Sequence, residues 1–244
     1  MRRLLIALLF VFASLPVAGV NTVVVMRHAA AGGDIAFVQA TTNVASYASP
    51  YVASVALPAI TLTAGNGVVV LVNVSGNLCQ ENLSVSDGAN TYTFAVQIYD
   101  AGNGQCGALF YAAVVTGGSR TITVSYDGTQ QWFAASAAEY SGVAAGAYST
   151  ASDATAVAST ATGTTWTTST ITTSTTNSVI VCGVAANDGS SATNSATGGA
   201  TERVDTAPLV LEDKTTTTAG ANTITGTKTS STGHNILALA IKKL

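Results

Sequence analysis

From Ile35 to the C-terminus the chain alternates short apolar runs with clusters of Gly, Asn, Asp and Ser, and the runs have strand length. The clearest pattern lies at 120–143. There Thr121, Thr123 and Ser125 alternate with Ile122, Val124 and Tyr126, the period-2 signature of a half-buried strand. Asp127-Gly128 follows as turn chemistry, and an Ala-rich apolar run then reaches Tyr140. The same reading predicts strands at 35–42, 55–63, 83–86, 91–99 and 108–115. The uninterrupted run VVVLVNV at 68–74 fits a central strand covered on both faces. No segment carries a convincing helical period.

A second copy of the pattern follows the first. ITLTAGNGVVVLVNVSGN from Ile60 matches ITTSTTNSVIVCGVAAND from Ile171 in its Ile-Thr, its turn Asn and its Val-rich run. The segment 120–143 is echoed at 223–241, and each half closes on an apolar strand. Beyond Gly146 the texture shifts to Ala, Ser and Thr, as in a linker or weakly packed outer strands. Many short strands and two similar halves predict an all-β, antiparallel two-sheet β-sandwich of jelly-roll type. Its two loosely similar halves are expected to interleave into a single domain over 35–244, since four or so strands could not cover both faces of a sheet.

Composition narrows the class. Charged residues make up 9% of the chain, against roughly 25% in an average soluble protein, so Thr, Ser and Asn must supply the polar surface. A net charge of -3 offers no electrostatic footprint for nucleic acid. Arg2-Arg3, the apolar stretch 4–15, Pro16 and the small residues Val17-Ala18-Gly19 read as a signal peptide over 1–19. Residues 20–34 would form an extended leader, the mature chain would carry no membrane span, and the protein would be extracellular or at the cell surface. Export permits disulfides. Cys79 and Cys106 sit in Gly/Asn-rich loop contexts and are expected to pair, leaving Cys182 as a buried free thiol. Without Cys-x-x-Cys spacing no metal centre is expected.

The phrases LSVSDGANTYTFAV, ALFYAAVV, GGSRTITVSY, AAEYSGV and LEDK with its Thr/Ala turn resemble a recurrent class of secreted bacterial and phage β-sandwich modules. Those modules are similar to concanavalin-type jelly rolls and are largely without assigned activity. The resemblance implies a fold and no functional residues. Separately, TVVVMRHA at 22–29 resembles the Arg-His start of the histidine phosphatases, and TGHNILALA at 232–240 their second histidine motif. That resemblance implies a His28 nucleophile with Arg27 and His234 on the phosphoryl oxygens. The superfamily is α/β, however, and the intervening chain lacks its helices; Arg203 is a weak candidate for a second arginine.

The remaining chemistry is sparse. Trp166 stands among polar residues in GTTWTTST and could offer an exposed platform for a sugar ring. Trp132 reads more as core, although Gln130 and Gln131 beside it keep a glycan site in view. Glu139 sits inside an apolar strand and must face solvent or find a buried partner. Glu212-Asp213-Lys214 reads as a solvated turn or a local ion pair. Asp87, Asp100, Asn103 and Asp188 could offer oxygen to calcium, but their spacing is that of turns, and no cofactor is expected. The expectation is an exported, non-enzymatic binding or surface-adhesion module, with glycan or another cell-surface component as its partner class. The rivals are a structural subunit of a fibre or coat, self-assembling through strand edges, and a phosphatase-like enzyme.

Overall fold

The β-branched and hydroxyl-bearing runs form strands throughout. A computed structural model describes residues 34–44, 53–75, 82–127, 133–186, 196–197, 199–228, 231 and 233–244. The protein is all-β: among the described residues 66% lie in strands of several antiparallel sheets, with almost no helix. The first half contains β1 (Ala36–Val44), β2 (Ser54–Ala56), β3 (Ile60–Leu62), β4 (Gly67–Ser75), β5 (Leu83–Ser86), β6 (Thr93–Asp100), β7 (Gln105–Ala113), β8 (Gly118–Arg120), β9 (Thr123–Tyr126) and β10 (Phe133–Ser141). A single helical turn, α1 (Tyr148–Ala151), joins it to the second half. There follow β11 (Ser152–Ala161), β12 (Thr165–Thr167), β13 (Ile171–Thr173), β14 (Ser178–Ala186), β15 (Ala196–Thr197), β16 (Thr201–Thr206), β17 (Leu209–Thr216), β18 (Gly220–Asn222), β19 (Thr225–Thr227) and β20 (His234–Ile241).

The duplication is strand for strand. The first half builds a five-stranded sheet in the order β1-β10-β4-β7-β6, and the second builds β11-β20-β14-β17-β16. Short strands form an outer layer in each half, as β2-β9-β5 with β3-β8 and as β12-β19-β15 with β13-β18. The expected interleaving does not occur, because every sheet draws its strands from one half only. Among the described residues each half has ten strands rather than four, enough to cover one face of its large sheet with its own short ones.

The other faces of the two large sheets pack against each other. Leu71, Leu109 and Tyr111 of the first half meet Leu209, Leu211 and Leu239 of the second in one buried cluster. Stacking runs in reverse order, with β1 against β16 and β6 against β11, so the halves relate by a pseudo-twofold axis like the subunits of an isologous dimer. Two further clusters lie between each large sheet and its outer layer. Hence β4, β10, β14 and β20 are apolar on both faces: Ala134 and Ala138 serve the central layer, Ala135 and Ala137 the outer one. Close approach demands small residues here. A Cβ on Gly183 would enter Leu71, and one on Gly107 would enter Leu237 and Asn235.

A buried carboxylate pins each half's turn to its large sheet. Glu139 in β10 is wholly buried and accepts hydrogen bonds from Thr63 N–H (2.7 Å), Asn66 Nδ2 (2.7 Å) and Gln39 Nε2 (2.6 Å). In the second half Asp153 accepts from Thr175 N–H (3.0 Å), Ser174 Oγ (2.8 Å) and Ser178 Oγ (2.5 Å). Thr175 and Ser178 occupy the turn positions of Thr63 and Asn66, and the left-handed residue within each turn is Gly65 (φ 92°) or Asn177 (φ 61°). The carboxylate itself comes from a different place: β10 in one half, the bulge at the start of β11 in the other. Replacing Glu139 by Ala strands three donors and is expected to cost about 3 to 5 kcal/mol in urea unfolding. A loss below about 0.5 kcal/mol would show that Glu139 pins nothing.

Candidate functional site

Trp166 is not a platform. It lies in β12 at 2% exposure, and its ring fills the space that a side chain on its cross-strand partner Gly226 would need. The polar neighbours that suggested exposure, Thr165 and Thr167, are the outward-facing positions of the same strand. Trp132, Gln130 and Gln131 lie outside the described residues, as do His28, Arg27, Cys79 and Asp188. His234 opens β20 and is wholly buried, in an all-β setting unlike the α/β scaffold that the histidine motifs would need. Cys182 is a free, buried cysteine in β14, and Cys106 is buried at the start of β7.

The other candidates are structural. Asp87 folds its own loop, accepting from the N–H groups of Ala89 (2.9 Å) and Asn90 (2.7 Å) and from Asn90 Nδ2 (2.7 Å). Asp100 does the same with Gly102 N–H (2.9 Å) and Asn103 Nδ2 (2.7 Å). These oxygens are committed to turns. Among the described residues no group of three or more His, Cys, Asp or Glu is placed to hold a metal ion, and no helix is long and apolar enough to cross a membrane. Arg203 is engaged by Asp213 through Nε (2.6 Å) and Nη2 (3.0 Å), and stacks 4.3 Å above the Phe37 ring centre, tying β16 to β1 across the halves.

The opposite flank, where β6 meets β11, is open. A cleft of about 370 Å³ lies between the edge strands and α1. Tyr148 gives it an aromatic wall beside the Phe94–Ala95 stretch of β6, and Ser149, Ser152 and Thr155 line it with hydroxyls. Tyr148 is rigidly held: its N–H donates to Thr93 Oγ1 (2.9 Å), its hydroxyl to the Ala154 carbonyl (3.3 Å), and its ring stands edge-on to Tyr111. Burial pushes the Tyr148 phenol up to about 12, so it stays neutral at any ordinary pH. Asp153 also lies at the cleft, but its carboxylate is spent on the turn. The cleft can therefore hold a small neutral ligand through ring contacts and hydroxyls. Its lining comes from both sides of the 146–152 junction, and only a known stacking order could have revealed it.

Glu212-Asp213-Lys214 is no solvated turn; it lies within β17. Glu212 is wholly buried, and neither of its carboxylate oxygens has a hydrogen-bond partner. Directly across the ladder stands Glu202 of β16. Burial first, then the charges of Glu202 and Asp213, push Glu212 up to about 7. Burial and the neighbouring Glu212 also push the Cys182 thiol well above its ordinary range.

Comparison with known protein families, with characterised proteins and with solved structures finds no match to this chain.

Asp153 sets an acid limit. Burial works against its ionisation, but hydrogen bonds from Ser178, Ser174 and Thr175 outweigh it and hold the carboxyl below its usual 3.8. A depressed folded value means that its stabilisation is present above that range and lost as pH falls through it. Unfolding midpoints measured from about pH 5 down to about pH 2 should therefore fall, and Asp153→Asn should flatten the decline. An unchanged slope would remove Asp153 from the explanation.

Proposed function

We propose that this protein is an exported, non-enzymatic binding module that takes a neutral glycan in the cleft between β6 and β11. The cleft itself is the observation that carries the reading. It joins the Tyr148 aromatic wall to a set of hydroxyls without an available charge, the chemistry that fits the apolar faces and hydroxyl edges of a sugar. Its volume is near the lower end for small-molecule sites, suited to one or two sugar rings rather than a long polymer segment. Position at a junction of two packed halves is typical of such sites.

The jelly-roll reading finds support in the path of each half. The first half's chain alternates between layers, leaving β1, β10, β4, β7 and β6 in the large sheet and β2, β3, β5, β8 and β9 in the outer one. A disulfide between Cys79 and Cys106 belongs to the same proposal. Thiol counting in denaturant without reductant should find one free thiol, Cys182; finding three would remove the bridge.

Fibre or coat assembly through strand edges receives less support. All four edge strands of the large sheets carry a bulge: β1 after Phe37, β6 after Phe94, β11 after Ser152 and again after Ala154, β16 after Glu202. Bulges at edges twist a strand away from a second chain.

Binding to an array of neutral mono- and oligosaccharides tests the reading, with Thr155→Trp as the blocking variant because Thr155 is exposed at the cleft. Wild type should bind at least one neutral sugar, and the variant should lose on the order of tenfold in affinity while keeping its melting temperature. A clean array at high protein concentration, or equal binding by both proteins, would end the proposal.

A further inference from the structure

The duplication supplies an internal control for the buried acids. In the first half the outer face of the β6–β7 ladder carries Phe94 opposite Phe110, a T-shaped pair 5.6 Å apart, and Phe110 faces Val70 on β4. A bulge follows Phe94. In the second half Glu202 stands opposite Glu212 with a bulge following Glu202, and Glu212 faces Cys182 on β14. The register and the bulge make the rows equivalent: Phe-Phe-Val in one half, Glu-Glu-Cys in the other. The fold thus has an apolar solution for this place and does not use it in the second half.

The substitution is costly in one charge state only. Two ionised carboxylates directly across a ladder repel, and burying one without a donor is unfavourable. Both oxygens of Glu212 and Oε2 of Glu202 are buried without partners. Among the described residues no cation acts on Glu212 or Glu202. The charges that act on Glu212 are Glu202 and Asp213, while Asp205 acts on Glu202. Cys182 faces the pair from β14, Ala238 lies beyond it on β20, and the outer layer contributes Ile224 and Trp166 to the same cluster. Lys214, two residues along β17, is half-buried, and neither it nor the buried Lys228 is among the charges that act on Glu212.

We propose that Glu202 and Glu212 form a proton-sensing carboxyl pair that keeps the second half's outer layer closed in acid and loosens it as the medium turns neutral to alkaline. In the closed form the pair retains a proton. Releasing it to water leaves two facing carboxylates, and the layer over them opens to solvate the charge. The direction follows from linkage: a carboxyl that holds its proton more tightly when folded binds more protons in the native state, so stability falls as pH rises across that interval. The proposal stands apart from the cleft and does not depend on glycan binding.

Cys182 reports the opening from within. Its labelling rate by a thiol reagent should be followed from about pH 5 to about pH 8.5 in wild type, Glu212→Ala and Glu212→Gln. Because Glu212 itself raises the Cys182 thiol, each labelling rate is divided by that of the same protein unfolded in denaturant, and the normalised wild-type-to-variant ratio is read beside the urea midpoint, which Cys182 ionisation does not enter. That ratio should rise on the order of tenfold across the range, and the urea midpoint should fall in wild type but stay level in Glu212→Gln. A constant ratio, a Glu212→Gln slope equal to wild type, or closure at high pH restored by a divalent cation would each overturn the proposal. Should Glu212→Ala fail to fold, Glu202→Gln gives the second reading: it removes the facing charge and should reduce the wild-type pH slope.

Discussion

Two five-stranded sheets covered on both faces set the terms for everything else in this molecule. A strand buried on both sides cannot alternate apolar and polar residues, so β4, β10, β14 and β20 read as largely apolar runs, interrupted inside only by residues such as Asn73, Ser136 and Glu139. Their backbone groups are satisfied within the sheets, and their side chains divide between a central layer shared by the halves and an outer layer private to each. Burial at this density leaves little freedom of size. Alanines in β10 and glycines at 107 and 183 stand where a larger group would force the sheets apart. The low charge of the chain follows, because most positions in the large sheets have no access to water that could solvate an ion.

Against that apolar background each buried carboxylate has a recognisable job or a recognisable cost. Glu139 and Asp153 are saturated by donors and hold equivalent turns. Asp213 is matched by Arg203, which also spans the halves through Phe37. Glu212 has no such compensation. Pseudo-symmetry sharpens the contrast, since the first half fills the same place with a pair of phenylalanines. The two flanks differ in the same spirit: Arg203 closes the β1–β16 side, while the β6–β11 side stays open as the cleft.

Much of this was legible in the residues. Period-2 alternation and turn chemistry located β9, and the Val-rich runs located β4 and β14. The match between 60–77 and 171–188 marked the duplication, and the echo of 120–143 at 223–241 reappears as β19 and β20. Interleaving was the wrong inference because short strands such as β3, β8, β13 and β18 are three residues long and leave little periodic signal. Trp166 misled because β12 exposes two residues for the one it buries, and the hydroxyls around it hid an inward position. Glu139's need for a buried partner could be foreseen, but Gln39, Thr63 and Asn66 are distant in sequence. Neither the cleft nor the Glu202–Glu212 pairing has a local signature; both depend on register and stacking.

Face-to-face packing of the large sheets fuses two self-paired halves into one body. Native-state hydrogen exchange of the backbone amides of β4 and β14 tests it most directly, because these strands lie in different halves and meet across the shared layer. Both strands should exchange only through one global opening, with equal free energies that fall together in denaturant. Protection lost in one half while the other remains closed would contradict it.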